Sequence, residues 1–258
     1  MQGVIAPPRT TLDRTAAETP ETPAPIVASW LGRIEYREAW DLQRRLAAAR
    51  VDATIADQLL LLEHPPVLTL GRHADESHVR ATADELERRG IEVIRVERGG
   101  EVTYHGPGQL VAYPIIALAD RRVLIRPFVR ALEAAMRDTC AALGVEAARR
   151  EGHPGLWCDP DGREPRKIGA LGIRVERGVT YHGIALNVAP KLADFDLIDA
   201  CGMPGVASTS VAVEAGRRDE RPSTDAVRRA ADLFASAFGS HLPASIEWSP
   251  AASLAPSA

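Results

Sequence analysis

Three long stretches of the chain place apolar residues at helical spacing. Residues 36–50, 124–143 and 225–238 each carry one apolar stripe with polar residues on the remaining positions, which predicts amphipathic helices. Shorter apolar or alternating runs, bounded by Gly, Pro and Asp, predict strands between them. The predicted strands are 26–34, 58–63, 67–70, 91–97, 110–118, 156–159, 166–176 and 179–188.

A fourth, shorter helix is predicted from its end signals. Thr82 and Glu85 have the spacing of a capping box, and Gly90 is a typical C-terminal stop. The predicted elements do not alternate regularly as strand, helix, strand. We therefore expect an α+β fold with a mixed, mainly antiparallel sheet packed with helices.

No linker interrupts residues 26–248, which predicts one domain. Residues 1–25 are rich in Pro, Thr and Ala and contain few large apolar residues, so we expect a disordered N-terminal tail. Residues 249–258 are expected to form a loose C-terminal tail. The N-terminal segment lacks the apolar block of a secretory signal.

Composition excludes several classes of protein. Of 258 residues, 45% are hydrophobic and 26% charged, with a formal net charge of −4, which gives no reason to expect nucleic acid as a partner. No apolar run is long enough to span a bilayer, so no membrane partner is expected. The three cysteines form no even disulfide set, which favours a reducing, cytoplasmic location.

The segment from Arg98 to Gln109 is the most unusual in the chain. Its sequence, RGGEVTYHGPGQ, encloses a strand-like Val-Thr-Tyr-His run between glycines. Glycines allow a left-handed backbone and close approach of a ligand to the main chain. Val-Thr-Tyr-His-Gly recurs at 179–183; the recurrence is either coincidence or two neighbouring strands that face one cavity.

Cys201 is the preferred candidate nucleophile because Gly202, Pro204 and Gly205 place it on a loop, where catalytic groups often lie. The alternative is a small buried hydrophobic residue, which is the preferred interpretation for Cys140 and Cys158. Lys167 is one of only two lysines and, unlike arginine, can give up its proton when desolvated. The histidines lie in no zinc-binding motif, so no metal is expected.

At these motifs the chain resembles the lipoyl(octanoyl) transferases of the biotin/lipoate protein ligase superfamily. The resemblance runs from about residue 26 to 238. It rests on HPPVLTLGR at 64–72, RGGxVTYHGPGQ at 98–109, KIGALG at 167–172, HGIALNV at 182–188 and Cys201-Gly202. Ala170 stands where the family often has Ser, and the turn 159–166 is longer than usual.

The resemblance implies a biotin/lipoate protein ligase-like fold and octanoyl transfer without a cofactor. Cys201 would carry the octanoyl thioester, with Lys167 as its acid/base partner. The donor would be octanoyl-acyl carrier protein. The acceptors would be lysines of lipoyl domains in 2-oxoacid dehydrogenase complexes and of the glycine cleavage H protein. The implied substrate-binding residues are Arg98, Gly99, Gly100, Glu101, Val102, Thr103, Tyr104, His105, Ala170, Leu171, Gly172, Gly183, Ile184 and Ala185.

Three alternatives remain open from the sequence. An ATP-dependent lipoate-protein ligase of the same fold would need no nucleophilic cysteine. A cysteine hydrolase would release free octanoate. An acyl-binding or carrier-docking module would not depend on Cys201 at all. A local positive surface for acidic carrier domains is a further hypothesis, and its candidate residues are Arg72, Arg98, Arg166 and Arg174.

Overall fold

A computed structural model describes residues 24–203 and 205–254. The predicted tail 1–25 lies outside the described residues except for its last two. The predicted helices are confirmed within one to three residues at each end. The helices are α1 (Tyr36–Val51), α2 (Ala83–Arg89), α3 (Ile125–Ala142), α4 (Val211–Glu214) and α5 (Thr224–His241).

The strands predicted from apolar runs are present, with small changes of boundary. They are β1 (Ile26–Arg33), β2 (Gln58–Glu63), β3 (Val67–Leu70), β4 (Glu92–Arg95), β5 (Val102–His105), β6 (Gln109–Ile115), β7 (Ala148–Arg150), β8 (His153–Cys158), β9 (Arg166–Glu176), β10 (Val179–Asn187), β11 (Ala207–Ser208) and β12 (Ile246–Trp248). Of these, β7, β11 and β12 were not predicted, because two- and three-residue strands are too short for a periodic pattern.

Two sheets contain all the strands of the described residues. The larger has nine strands in the order β12-β1-β2-β6-β10-β9-β8-β7, with β11 added beside β9. The smaller has the order β4-β3-β5. Within the larger sheet, β1–β2, β1–β12 and β9–β11 pair in parallel and the remaining pairs are antiparallel. The predicted mixed, mainly antiparallel α+β fold is confirmed.

Helices cover the two faces of the larger sheet unequally. α3 and α5 pack together on one face over the main apolar core, where the rings of Phe128 and Phe238 are 6.1 Å apart. α1 packs on the opposite face over β6 and β10. The smaller sheet has its own apolar cluster, which includes Leu68, Tyr104 and Leu197. This cluster and α1 leave part of the second face uncovered, and the candidate site lies there.

The end signals of α2 act as predicted. The Thr82 hydroxyl accepts the Glu85 N–H, and Gly90 is left-handed at the C-terminus with φ of 64°. The expected loose segment from Ser249 onward differs from the structure. Its Ser249 N–H donates to the Ala28 carbonyl, residues Ala251–Leu254 form a short 3₁₀ helix, and Leu254 packs against the apolar cluster beneath α1.

Candidate active site

A cavity of about 310 Å³ lies between strands β9 and β10 and the segment that leads into β5. This size is at the lower end of the range for small-molecule sites. Its rim includes the exposed residue Gly152, whereas Tyr36, Tyr113 and His182 at its other end are buried. The residues that line it are Tyr36, Arg98, Gly100–His105 without Tyr104, Tyr113, Gly152–Pro154, Lys167, Ala170–Gly172, His182–Ala185 and Met203.

Most of the predicted substrate-binding residues line this cavity. Gly99 and Tyr104 do not. The Gly99 N–H donates to the Ile173 carbonyl at 3.1 Å, and the Tyr104 hydroxyl donates to Asp194 Oδ2 at 3.1 Å on the far side of β5. Successive strand residues point to opposite faces, so Thr103 and Tyr104 cannot both face the cavity.

Small residues form the wall that β9 and β10 contribute. In the ladder between these strands Gly172 lies opposite Gly183, and Ala170 lies opposite Ala185. Leu171 and Ile184 contribute backbone here, because their side chains pack in the main core on the other face. The two pairs therefore leave an open slot along the strands, which suits an unbranched chain.

Lys167 lines the cavity, and its strand is bonded to the segment that follows Cys201. Lys167 is 7% exposed, and its Nζ lies 5.1 Å from the ring centroid of Trp157. Ser208 pairs with Lys167 in the parallel β9–β11 contact, and the Thr209 N–H donates to the Lys167 carbonyl at 2.9 Å. Since β11 begins six residues after Cys201, this pairing ties the Cys201 segment to the Lys167 strand.

The Cys201 side chain lies outside the described part of the structure. Its backbone belongs to the 3₁₀ turn Ala200–Gly202, and Met203, two residues later, lines the cavity. The predicted Cys201–Lys167 pair therefore stays a prediction. Cys140 and Cys158 are buried, and burial raises the pKa of each thiol to about 12, which agrees with a packing role.

The glycine-rich segment reaches the cavity because it packs directly on backbone. A β-carbon on Gly71 would lie 2.1 Å from the Gly100 carbonyl oxygen, and one on Gly172 would lie 2.7 Å from the Gly99 oxygen. Arg98 is buried and donates to the Thr69 carbonyl at 2.7 Å. Its guanidinium thus holds the segment against β3, so Arg98 does not form part of a positive surface.

Two other arginines proposed for that surface are paired with carboxylates. Arg166 Nε and Nη2 lie 2.8 and 3.1 Å from the two Glu214 carboxylate oxygens, and Arg174 lies 4.0 Å from Glu176. Arg72 is exposed. Among the four candidates, Arg72 is therefore the residue that is exposed and forms no ion pair within the described residues.

A buried polar chain connects the cavity with the Lys167 strand. His105 Nδ1 lies 2.7 Å from Gln109 Oε1, and Gln109 Nε2 donates to Asn187 Oδ1 at 2.9 Å. Asn187 in turn donates to the Thr209 carbonyl at 2.9 Å. Because the Gln109 oxygen can only accept, the proton of the neutral His105 ring is on Nδ1.

Three buried histidines are held neutral, and two of them, His105 and His182, line the inner end of the cavity. Burial lowers the pKa of His64 to about 4, and it lowers the pKa of His105 and of His182 to about 3. His64 donates from Nδ1 to the Ile34 carbonyl at 2.8 Å and accepts the Tyr113 hydroxyl at 2.8 Å. This end of the cavity therefore offers hydrogen bonds without charge on the histidine rings.

The recurring Val-Thr-Tyr-His segments belong to different sheets. β5 pairs with β3, whereas β10 pairs with β6 and β9. They are therefore not neighbouring strands in a ladder, although Thr103 and His105 of one and His182 of the other line the same cavity. The interpretation that they face one cavity holds for these three side chains.

Sequence reasoning did not assign Tyr36, Tyr113, His153 or Met203 to the site. Tyr36 and Tyr113 occur within apolar patterns, where they resemble core residues. A phenol within a fully buried run needs a hydrogen-bond partner, which is the signal that could have indicated Tyr113. His153 and Met203 lie where no pattern distinguishes them from surface loops.

Within residues 24–203 and 205–254, no group of three or more His, Cys, Asp and Glu side chains is placed to hold a metal ion.

Among the helices of the described ranges, none is both long and apolar enough to cross a bilayer.

Comparison with known proteins gives a consistent picture. The model of the lipoyl protein ligase A/B catalytic domain matches residues 35–221. An octanoyltransferase from Acidobacterium capsulatum is 44% identical over 217 residues, which are 81% of this chain and 88% of the relative. An octanoyltransferase from Mycolicibacterium gilvum is 48% identical over 194 residues, or 75% of this chain and 78% of the relative.

A solved structure of lipoate-protein ligase A bound with ATP has the same fold. Its TM-score is 0.62 at 17% sequence identity, and the match covers 90% of this chain and 92% of that chain. At this identity the similarity concerns the fold alone.

Proposed function

Because the chain belongs to the lipoyl protein ligase A/B catalytic domain family, we propose that it is an acyltransferase that moves an octanoyl group onto a lysine of lipoyl domains. One observation carries the proposal. The cavity is a slot walled by Ala170, Gly172, Gly183 and Ala185 and lined also by Lys167, whose strand pairs with β11, six residues after Cys201. Relatives that are 44% and 48% identical are octanoyltransferases.

In the first step the Cys201 thiolate attacks the carbonyl carbon of octanoyl-acyl carrier protein. The bond between that carbon and the carrier sulfur breaks, and the Lys167 ammonium donates the proton with which the carrier thiol leaves, so Lys167 becomes a neutral amine. Octanoyl-Cys201 remains. An ammonium group favours the thiolate form of a nearby cysteine, and this is the role proposed for Lys167.

In the second step the ε-amine of a lipoyl-domain lysine attacks the new thioester. The carbon–sulfur bond to Cys201 breaks, an amide forms, and the proton of the attacking amine passes through Lys167 to the departing sulfur. Lys167 acts here as a general base and then as an acid. Exchange of one thioester for another is nearly balanced in free energy and amide formation is favourable, so neither step uses ATP.

The slot contributes binding energy and a limit on the acyl chain. Burial of each methylene is worth about 0.8 kcal/mol, so an eight-carbon chain gains several kcal/mol. The four small residues of the wall allow an unbranched chain to lie against backbone. A branched acyl group would meet the same backbone atoms and bind less well.

The proposed partners are octanoyl-acyl carrier protein as the donor and lipoyl domains as acceptors. The acceptors include those of the 2-oxoacid dehydrogenase complexes and the glycine cleavage H protein. The rival function is ATP-dependent ligation. It is considered because a lipoate-protein ligase A, solved with bound ATP, has the same fold. The higher identity to octanoyltransferases favours transfer.

Intact-mass spectrometry tests the proposal. Wild-type protein incubated with octanoyl-acyl carrier protein, without ATP, should gain the mass of one octanoyl group, and added lipoyl domain should then remove it. Cys201→Ala should gain none. Cys158→Ala is the matched control, because Cys158 is buried, and it should still be acylated.

The other outcomes separate the rival functions. Modification of the lipoyl domain that needs ATP and free octanoate would support the ligase instead. Release of free octanoate from the acyl-enzyme would indicate a hydrolase. Tight binding of the carrier with no covalent adduct, unaffected by Cys201→Ala, would indicate an acyl-binding module.

A further inference from the structure

His182 has an unusual backbone for the middle of a strand. Its φ is +55°, a left-handed value that few residues other than glycine adopt and that costs free energy. The register of β10 on β6 places Pro114 opposite His182. Since proline has no N–H, the ladder is interrupted there, and the His182 N–H donates instead to Gln43 Oε1 at 2.8 Å.

This backbone turns the imidazole toward the cavity. The ring of His182 stacks on that of Tyr181, with centroids 5.1 Å apart, and meets the Tyr113 ring edge-on at 6.3 Å. Tyr113 and Tyr181 belong to the apolar cluster under α1. Two consecutive residues, 181 and 182, therefore present their side chains on the same face of the sheet, and His182 lines the cavity.

Both ring nitrogens of His182 lack a hydrogen-bond partner within residues 24–203 and 205–254. The residue is 1% exposed. The amide nitrogen of Gln43, which is also buried, is in the same situation. Buried polar groups are almost always hydrogen-bonded, and His182 lines the cavity whereas Gln43 does not, so the two ring nitrogens indicate a polar group that binds at this end of the cavity.

The chemistry of the ring limits what that group can be. A neutral imidazole offers one donor and one acceptor. The charged residues whose fields reach His182 are Glu97, Arg98 and Arg174. The negative charge of Glu97 offsets part of the attraction of the two arginines, so an anion binds here less favourably than it would beside the arginines alone. A hydroxyl group, which also offers a donor and an acceptor, is the complementary ligand.

The distance between His182 and Lys167 indicates which part of a bound acyl group would contact His182. His182 pairs with Ile173, six residues along β9 from Lys167, or roughly 20 Å at the rise of a strand. Within this distance the cavity must hold the Lys167 side chain, the thioester and the acyl chain, one after the other. The group that reaches His182 is therefore the far end of the acyl chain.

We propose that the inner end of the cavity is a subsite for a hydroxyl group at the far end of a medium-chain acyl group, with His182 as the specificity-determining residue. This inference rests on the proposed octanoyl transfer. It adds that acyl chains hydroxylated at the terminal carbon are substrates of the same site. The small-residue wall binds the methylenes, and the His182 ring binds the oxygen.

The test is a competition between two donors. Wild-type protein receives equal amounts of octanoyl- and 8-hydroxyoctanoyl-acyl carrier protein, and the two acyl-enzymes, which differ by one oxygen, are counted by intact mass at early times. We expect the hydroxyacyl-enzyme to form within tenfold of the rate of the octanoyl-enzyme. A purely apolar end would reject the hydroxyl more strongly.

His182→Phe keeps a ring of similar shape and removes both nitrogens. It should lower the ratio of hydroxyacyl- to octanoyl-enzyme about tenfold, because the hydroxyl is then buried without its partner. His182→Asn keeps a donor and an acceptor and tolerates the left-handed backbone, so its ratio should stay within threefold of wild type. His241→Phe, in α5 and not among the residues that line the cavity, is the control and should leave the ratio unchanged.

A wild-type rate for the hydroxyacyl donor more than tenfold below that for the octanoyl donor would overturn the inference. So would an unchanged ratio in His182→Phe. If that variant does not fold, the wild-type and His182→Asn ratios decide. Failure to form either acyl-enzyme in the wild type would refute octanoyl transfer itself, which is a distinct result.

Discussion

His64 illustrates at the scale of one residue how burial controls ionisation in this protein. Its ring is fully buried, and both nitrogens are used, one by the Ile34 carbonyl and one by the Tyr113 hydroxyl. Protonation would require the loss of the bond from Tyr113, because the protonated ring can only donate. Desolvation lowers the pKa to about 4, from the 6.5 usual for histidine.

A pH dependence of stability follows for His64. Its pKa is lower in the folded state, so its contribution is complete above about pH 6.5 and is lost as the pH falls toward 4. Between pH 7 and pH 5 this single residue should cost the folded protein about 2 kcal/mol. The free energy of unfolding in urea at both pH values, for wild type and His64→Gln, measures it.

Between pH 7 and pH 5 the free energy of unfolding of His64→Gln should fall by about 2 kcal/mol less than that of the wild type. His105 and His182 are the same in both proteins, so their titration cancels in the comparison. Parallel pH profiles of wild type and variant would contradict the assignment of a neutral, buried His64.

A rare residue type draws attention to a position, whereas its role stays a prediction. Lys167 stood out as one of two lysines, and the structure buries it at the cavity beside Trp157. Tyr104 was assigned with its neighbours to the substrate site, but it faces Asp194 on the other side of β5. A motif marks a segment, whereas the pleat of the strand decides which of its side chains face the site.

The β9–β10 hairpin shows how a pair of elements is specified locally. Its two-residue turn, Arg177-Gly178, has φ values of +49° and +83°, the pattern of a type I′ turn. Glycine adopts this conformation freely, whereas arginine is strained in it. The sequence predicted the hairpin and its turn, and the register Glu176↔Val179 confirms it.

Arg177→Asn should stabilise the protein, because asparagine tolerates the left-handed conformation and Asn-Gly is the preferred type I′ pair. We expect the free energy of unfolding to rise by about 0.5–1 kcal/mol. Arg177→Ala is the matched control, since it removes the same charge without this advantage. Equal unfolding midpoints in urea for the two variants would show that the backbone at 177 is not strained.

Long elements were predictable and short ones were not. α3 and α5 repeat their apolar positions over several turns, which distinguishes them from strands. β7, β11 and β12 contain three, two and three residues. Such strands form because a neighbouring strand has free backbone groups, as β9 has for Ala207 and Ser208. That pairing depends on the tertiary structure.

For the whole molecule, the contact between its two sheets is the critical feature. The segment from Arg98 to Glu101 joins them, with the Gly99 N–H bound to Ile173 of the larger sheet and the Arg72 N–H bound to Arg98 beside the smaller one. Gly172 allows this approach, because a side chain there would collide with the Gly99 oxygen. The cavity exists only while the two sheets are held at this distance.

Gly172→Ala should therefore separate the sheets and damage the cavity. We expect a loss of roughly 1–3 kcal/mol in the free energy of unfolding and a fall of at least about tenfold in the rate of Cys201 acylation. Gly90→Ala is the control. Its left-handed glycine at the end of α2 has nothing within 4 Å, so about 1 kcal/mol of stability should be lost with acylation unchanged.

Normal acylation in Gly172→Ala would show that the sheets need not touch at this point. Reduced acylation in Gly90→Ala would show instead that general destabilisation is enough to lower activity. The two variants together thus separate the shape of the cavity from the stability of the fold.

Local patterns were enough to predict the α+β class, the long helices, the β9–β10 hairpin and the family resemblance, which the family match confirms. These depend on local periodicity, turn chemistry and short motifs, which are properties of neighbouring residues. Three features came from the three-dimensional packing: Arg98 is buried, the two Val-Thr-Tyr-His segments belong to different sheets, and the His182 ring faces the cavity without a partner among the described residues. Burial and hydrogen-bond partners depend on residues distant in sequence, and no local pattern contains that information.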